Sequence, residues 1–340
     1  MLKLTLKKQI GISSIIFLMS CPIFSQTNQG LLDDIGLFLD DALLYSEQYI
    51  TPATDAAVYQ ASAQWMVSPK KRELWDFTLG LHTNLFFVPK SDRTFQINET
   101  DFQLMTIQGD NSSLIVPTAF GGESSDILLA NLGDSEIQIR VPEGVNMEAV
   151  FYPYLQGALS LWKGTEIMMR YSTKVKLKRG YYQVYGFALQ HNLSQYSNYL
   201  QQKKINVALM GGYSNEDISF DFLNVQTAFG DLGLSSLRGL VDTYQLQMGA
   251  SKSWQQYELM TTIIANKSWF EYKAGGKPTD DLSATFNQLV NEKLKEIYKS
   301  KVNIIGEISG RYQYNKFFFQ TSVAFGKFVN LNASVQYAFF

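Results

Sequence analysis

Charged residues recur at every fourth position in two stretches of alternating polar and apolar residues. Glu166, Arg170 and Lys174 follow one another in the first stretch, and Glu307 and Arg311 do so in the second. In a β-strand these spacings place the side chains on one face. Inside a membrane barrel that face would be the lumen, since an Arg or Lys facing lipid at mid-depth costs ~2–4 kcal/mol. Two roles fit: ion pairs that hold a plug, the commoner arrangement, or a selectivity region.

Apolar residues are also predicted on the inward face, namely Met168, Met210, Met260 and Phe318. A water-filled porin seldom carries flexible apolar groups in its lumen. Two interpretations stay open: these side chains pack against N-terminal helices, or they line a path for an apolar molecule.

The sequence offers no arrangement of residues typical of an enzyme. The two histidines, His82 and His191, have no metal-like spacing to other ligands, and G-x-S-x-G, H-E-x-x-H, C-x-x-C and phosphate-loop motifs do not occur. The formal net charge of −2 argues against nucleic acid as a partner. We therefore expect no catalytic residue, no cofactor and no metal.

Segments with a period of two carry the candidate residues and continue from residue 73 to the C-terminus. The last of them, residues 330–340, alternates apolar and polar side chains over the length of one transmembrane strand. About fourteen such segments predict an all-β fold, a transmembrane antiparallel β-barrel over residues 73–340. With the C-terminus in the periplasm, residues 314–316 and 265–267 are predicted as periplasmic turns, and the insertion 275–300 as an external loop.

Two segments have a helical pattern instead, one before the alternating region and one within it. Residues 26–72 are predicted to form a short helical plug or a lid at the periplasmic mouth, with a break at Pro52. A loop helix is predicted at about residues 280–299. Its apolar face contains Phe286, Leu289, Val290 and Leu294. Packing on the barrel rim is the preferred role of this helix, and capture of an apolar ligand or contact with the membrane surface is the alternative.

The first 25 residues are typical of a signal peptide. Lys3, Lys7 and Lys8 precede a short apolar core, and cleavage is predicted after Ser25. A lipoprotein signal, with acylation of Cys21, is the alternative. Cleavage after Ser25 removes the one cysteine, so the mature chain would contain no disulfide.

Several stretches resemble an uncharacterised family of Bacteroidota outer-membrane proteins. They include W-D-F-T-L-G-L at 75–81, L-I-V-P-T-A-F-G-G at 114–122 and Y-G-F-A-L-Q-H-N-L at 185–193. The resemblance implies export and a barrel, and it implies no activity. More distantly, a plug followed by about fourteen strands is similar to the long-chain fatty acid transporter barrels, an analogy of architecture that does not fix function.

The predicted protein is an exported barrel of the cell outer membrane. It would contact outer-membrane lipid, use the barrel assembly machinery during insertion, and transport a small, hydrophobic molecule passively. The alternative is a non-transporting scaffold barrel of the envelope or of a secretion system.

Overall fold

The structure is a computed structural model that describes residues 26–133, 135–221, 226–227, 230–231, 234–278 and 281–339. The predicted signal peptide, residues 1–25, lies outside the described residues. Within the described ranges, no helix combines the length and apolar content that a membrane span requires.

Ten antiparallel strands form a closed barrel. They are β1 (Phe77–Phe87), β2 (Ala149–Ser160), β3 (Thr165–Tyr171), β4 (Tyr181–Asn192), β5 (Ile205–Asp221), β6 (Ser236–Trp254), β7 (Tyr257–Gly275), β8 (Lys299–Tyr314), β9 (Phe317–Phe325) and β10 (Val329–Ala338). Each strand pairs with the next, and β10 pairs with β1 to close the ring. An additional short strand, Val175–Lys176, pairs with β4.

The prediction of about fourteen strands is therefore wrong, for two physical reasons. First, β6 and β7 contain 19 residues each, far more than the ~9–11 that cross a bilayer. The predicted turn at 265–267 lies within β7, where Asn266 pairs with Gln245 and Asn303. Second, the alternating runs between residues 94 and 140 form small sheets outside the barrel.

Side chains alternate between two environments along every long strand. In β10 the outward Leu331 and Val335 are exposed, whereas the inward Asn330, Asn332 and Ser334 are buried. The exposed set consists mostly of Leu, Ile, Val, Met and aromatic residues. This arrangement, apolar outside and polar inside, is that of a barrel whose outer surface contacts lipid.

The two rims of the barrel differ in the length of their connections. At the short-turn rim, β2–β3, β6–β7 and β8–β9 are joined by a few residues each, and β4–β5 by a segment with a short helix, α2 (Asn198–Gln202). At the long-loop rim, residues 88–148 join β1 to β2, and a loop with helix α3 (Asp281–Leu294) joins β7 to β8. In single-chain bacterial barrels the short turns face the periplasm.

The segment 88–148 forms a cap on the long-loop rim. Strand Thr94–Asn98 pairs with Ser113–Pro117, and Ile127–Leu132 pairs with both Met105–Ile107 and Ser135–Arg140. A further two-residue pair, Gln226–Thr227 with Gly230–Asp231, lies between β5 and β6. Buried cap residues such as Met105 and Leu128 belong to the same apolar core as the N-terminal helix.

The N-terminal helix, α1 (Gln26–Ser62), contains 37 residues and is therefore about 55 Å long. Its N-terminal part packs against the cap and α3, and its C-terminal part lies inside the barrel. The predicted break at Pro52 is absent, although a proline inside a helix removes one hydrogen bond. Ile50 and Ala53 are fully buried on either side of it, so packing in the lumen maintains the helix.

Candidate functional site

The end of α1 is held in the barrel by Arg170, one of the predicted lumen residues. The two terminal nitrogens of its guanidinium donate to the carbonyls of Ala61 at 3.2 Å and Ala63 at 2.9 Å. The last carbonyls of a helix lack partners within the helix and carry partial negative charge. A buried cation at this position therefore stabilises the docked helix, and Arg170 is only 1% exposed.

Arg170 is fixed in place by its neighbours. Its Nε and Nη2 donate to the side-chain oxygen of Gln156 at 3.2 and 3.0 Å. The guanidinium carbon lies 4.3 Å from the ring centroids of both Trp65 and Tyr154. Arginine stacks on aromatic faces in this way because its charge is delocalised over a plane.

Two other predicted charged residues, Glu307 and Glu166, contact the chain that follows α1, and Arg311 contacts it through Glu258. Glu307 accepts a hydrogen bond from the backbone N–H of Gln64 at 2.7 Å. Glu166 pairs with Arg72 at 3.3 Å. Arg311 pairs with Glu258 at 3.3 Å, and Glu258 also accepts from the Ser68 hydroxyl at 2.9 Å. These contacts agree with the predicted role of holding a plug. Lys174, in contrast, lies beyond the end of β3 and is exposed, because the strand stops at Tyr171.

We call residues 50–72, the inner part of α1 and the chain after it, the plug segment. Side chains on eight of the ten strands exchange hydrogen bonds with it. One example on each strand is Thr78 on β1, Gln156 on β2, Arg170 on β3, Gln190 on β4, Gln247 on β6, Asn266 on β7, Glu307 on β8 and Ser334 on β10. The plug segment is thus anchored around most of the circumference of the lumen.

The three predicted lumen methionines do face inward. Met168, Met210 and Met260 are at most 2% exposed and form one apolar cluster with Trp65 and Met66 of the plug segment. Of the two interpretations left open by the sequence, this contact corresponds to packing against the N-terminal segment. Phe318 also lies on the inward face but is half-buried, with the Arg311 guanidinium 3.8 Å from its ring centroid.

A different environment lies above the plug segment, at the long-loop rim. A cavity of about 150 Å³ separates α1 from α3 and the cap, and we call it the mouth cavity. Its lining is almost entirely apolar. The main contributors are Phe38, Leu39, Ala42 and Leu43 from α1, Phe286, Val290 and Leu294 from α3, and Met105, Leu128 and Ile139 from the cap.

Three of the four residues on the predicted apolar face of the loop helix lie at the mouth cavity. Phe286, Val290 and Leu294 line the mouth cavity, whereas Leu289 is 42% exposed and is not among the lining residues. The basic residues of this region pair with acidic residues of the protein. Lys293 contacts Asp40 at 2.8 Å, and Lys299 contacts Glu47 at 3.0 Å.

Asp41 fixes α1 to the cap beside the mouth cavity. Its carboxylate accepts hydrogen bonds from the backbone N–H groups of Gln103, Leu104 and Met105 at 2.7–2.8 Å. Charge-assisted bonds of this kind are stronger than bonds between neutral groups. The wall of the cavity formed by α1 and the wall formed by the cap are therefore joined at one buried carboxylate.

Sequence reasoning identified the α3 wall of the mouth cavity but missed the other two. The helical apolar residues of the N-terminal segment, including Phe38 and Leu39, predict a plug or lid but not a cavity on its surface. The cap residues lie in short alternating runs such as Ile137–Ile139, whose pattern predicts a strand but not the surface on which it packs. Tyr45, which lines the cavity, carried no signal that separates it from other core tyrosines.

Three solved structures are similar to this chain in fold. An outer membrane channel from Pseudomonas putida F1 is 11% identical, with a TM-score of 0.33, and the match covers 80% of this chain and 98% of the channel. The translocator domain of the autotransporter NalP from Neisseria meningitidis is 8% identical, with a TM-score of 0.34 and coverages of 87% and 99%. The outer membrane protease OmpT from Escherichia coli is 10% identical, with a TM-score of 0.29 and coverages of 80% and 100%.

A search of curated proteins finds no match to this chain. The bacterial group and the likeness to fatty acid transporter barrels remain predictions from the sequence. A family model, in contrast, matches residues 6–339, nearly the whole chain. The protein belongs to this family, which is described as a family of unknown function, DUF6588.

Proposed function

We propose that this protein is an exported outer-membrane barrel that binds a small apolar molecule in the mouth cavity and admits it through the lumen when the plug segment moves. The observation that carries the proposal is the mouth cavity itself, an apolar space of about 150 Å³ between α1, α3 and the cap. A cavity of this volume lined by aliphatic and aromatic side chains holds a molecule as small as benzene in other proteins.

The position of the cavity supports uptake rather than storage. It lies at the long-loop rim, the rim that faces the exterior in bacterial barrels. Its α1 wall continues directly into the plug segment, so a molecule that leaves the cavity toward the barrel meets the segment that Arg170 holds below. Passage would then require a separate opening of the plug segment.

A scaffold barrel that transports nothing is the second candidate. The observation in its favour is the anchoring of the plug segment to eight of the ten strands, with several buried charge-assisted bonds. For this candidate the lumen stays closed under all conditions, and the cap serves as a docking surface for other envelope proteins.

Ligand binding is tested first, with benzene titrated calorimetrically into the purified barrel in detergent. Ala42 lines the cavity, so the larger side chain of Ala42→Phe should fill it. Benzene should then give only the heat of its partitioning into the micelle. Gly36→Phe is the matched control, because a side chain at Gly36 on the same helix meets open space. Equal heats for wild type and Ala42→Phe would count against the mouth cavity as a binding site.

Transport is tested separately, by whole-cell uptake of benzene and of a polar solute such as glycerol. The uptake hypothesis expects faster benzene entry in cells that produce the wild-type barrel than in cells that produce Ala42→Phe. Deletion of residues 31–66 should open the lumen to both solutes. Benzene binding without any flux, in the intact barrel and after the deletion, would favour the scaffold.

A further inference from the structure

The β10–β1 side of the lumen carries buried polar side chains that lack hydrogen-bond partners. Four residues form this group, which we call the polar wall: His82 and Asn84 on β1, and Asn330 and Asn332 on β10. Each is at most 3% exposed. In the part of the chain that the structure describes, nothing bonds to the ring nitrogens of His82, to the side-chain amides of Asn84 and Asn330, or to the amide oxygen of Asn332. Buried polar atoms almost always have a partner, so a group of unpaired ones on adjacent strands calls for a physical explanation.

The inner end of α1 passes this wall. The Tyr59 ring packs on Phe328, immediately before β10, with 5.1 Å between the ring centroids. Further along β10, the side-chain nitrogen of Gln64 donates to the Ser334 hydroxyl at 3.4 Å. The β10 residues of the polar wall lie between these two contacts, so residues 60–63 of the plug segment face them.

The β6–β7 side of the lumen holds the same part of the plug segment with paired polar groups. Gln247 on β6 donates to the backbone carbonyl of Ser62 at 2.8 Å, and Asn266 on β7 donates to the Ser62 hydroxyl at 2.8 Å. Between described residues, β10 and β1 bond to the plug segment only through Ser334, at 3.4 Å, and through Thr78, at 3.0 Å. The plug segment is therefore bonded to the β6–β7 side and is merely packed on the polar wall.

The two sides differ in what a separation of the plug segment costs. An unpaired buried polar group raises the free energy of the closed lumen, because the water that it lost on burial is not replaced by a partner. Contact with water removes that cost at the polar wall. Separation at the β6–β7 side instead breaks the two hydrogen bonds to Ser62. The plug segment should therefore leave the polar wall first.

We propose that the lumen opens between the plug segment and the polar wall, and that this gap is the path along which water and small neutral molecules enter the barrel. The inference rests on the proposed function, because it places the path that a moving plug segment opens. The polar wall consists of three amides and one imidazole, which exchange hydrogen bonds with water and with neutral polar solutes.

The test measures how fast methyl methanethiosulfonate, a small neutral reagent, modifies single cysteines in the purified barrel. Cys21 lies in the predicted signal peptide, so an introduced cysteine should be the one thiol of the mature chain. Asn84→Cys places a thiol in the polar wall and breaks no hydrogen bond between described residues. Ser268→Cys on β7 is the matched control, because Ser268 is also fully buried but its hydroxyl pairs with Thr243 at 2.8 Å. Mass spectrometry follows the modification, and heat-modifiable migration confirms that each variant is folded.

We expect the thiol of Asn84→Cys to react at least about tenfold faster than that of Ser268→Cys, the factor that corresponds to the net contribution of one hydrogen bond. Equal rates, or a faster reaction of Ser268→Cys, would overturn the position of the path while a mobile plug segment stands. If neither thiol reacts although both react fully after denaturation, the plug segment does not move, and both this inference and passage through the lumen are overturned.

A second pair of variants tests whether the unpaired amides favour the opening. Asn330→Leu, added to Asn84→Cys, removes an unpaired amide from the closed lumen and should slow modification of the thiol at least about threefold. Asn266→Leu, added to the same barrel, removes a bond to Ser62 and should not slow it. Equal rates with both substitutions, or faster modification with Asn330→Leu, would contradict the role of the unpaired amides.

Discussion

The inner lumen and the mouth cavity are both lined by α1, but they use opposite kinds of contact. In the inner lumen, polar groups of eight strands exchange hydrogen bonds with the plug segment, and Arg170 binds buried carbonyls at the helix end. At the mouth, mainly apolar side chains surround a cavity of about 150 Å³. Directional bonds suit a seal, because each one fixes a position, whereas non-directional apolar contacts suit a space that adapts to a ligand.

This difference means that sealing and binding depend on different residues of one helix. A change in the inner lumen should alter passage through the barrel without altering affinity at the mouth. A change at the mouth should do the reverse. The four predictions below examine that separation in order of decreasing effect.

Arg170→Met should have the largest effect, on the seal. It leaves the buried carbonyls of Ala61 and Ala63 without this donor and removes the cation at the helix end, which we expect to destabilise the docked plug segment by roughly 3–5 kcal/mol. Conductance across a planar lipid bilayer should rise from a closed baseline, while benzene binding stays within twofold. Arg140→Met is the control, because the Arg140 side chain is about half exposed and belongs to the cap rather than to the lumen. A closed Arg170→Met barrel would show that the guanidinium does not hold the plug.

Asp41→Ala should have the next largest effect, at the mouth. Three backbone N–H groups of the cap lose their acceptor, which should weaken the contact between α1 and the cap by about 2–4 kcal/mol. Benzene affinity should fall at least tenfold in the calorimetric titration, with no change in conductance. Asp33→Ala, an exposed acidic position on the same helix, serves as the control. A rise in conductance would mean that the cap and the seal are not independent.

Gly249→Ala should have a moderate effect on the seal. A methyl group on Gly249 of β6 would overlap the sulfur of Met66 in the plug segment, and overpacking of this kind costs about 1–3 kcal/mol. The flexible methionine absorbs part of the strain, so brief openings rather than a steady current are expected in bilayer recordings. Gly211→Ala on β5, where a methyl group meets open space, should remain closed. Identical recordings from both variants would argue against close packing of Met66 on the wall.

Leu289→Ala should have the smallest effect. Leu289 lies on α3 but is 42% exposed and does not line the mouth cavity. Exposed substitutions usually change stability by less than about 0.5 kcal/mol, and neither benzene affinity nor conductance should move. Leu294→Ala on the same helix removes a buried lining residue and should change benzene affinity measurably. Equal effects of the two variants would contradict the assigned orientation of α3.

The barrel could be predicted from sequence because alternation is a local property. Leu331 is apolar and exposed, and the next residue, Asn332, is polar and buried. This contrast between neighbouring residues repeats along the long strands. The strand count could not be predicted, since β6 and β7 extend past the membrane with the same alternation that they have inside it. The alternation of polar and apolar residues in these two strands does not change where the strand would leave the membrane.

The candidate site, like the fold, could be predicted from the sequence only in part. Glu166, Arg170, Glu307 and Arg311 could be assigned to the lumen because a charge on the outer face would meet lipid. Their partners could not be predicted, because residues such as Ala61 and Ala63 act through backbone carbonyls that any sequence would provide. The mouth cavity is lined by segments that lie far apart in the chain. Of these, only the amphipathic face of α3 could be predicted from the sequence.

The most direct test of the separation between seal and binding site is a crystal of the barrel pressurised with xenon, which enters dry apolar cavities in proteins. We predict strong xenon density in the mouth cavity, between Leu39 of α1 and Val290 of α3. We predict none in the inner lumen beside Met168, Met210 and Met260, where Trp65 and Met66 fill the space. Density at the methionine cluster and none at the mouth would contradict the account.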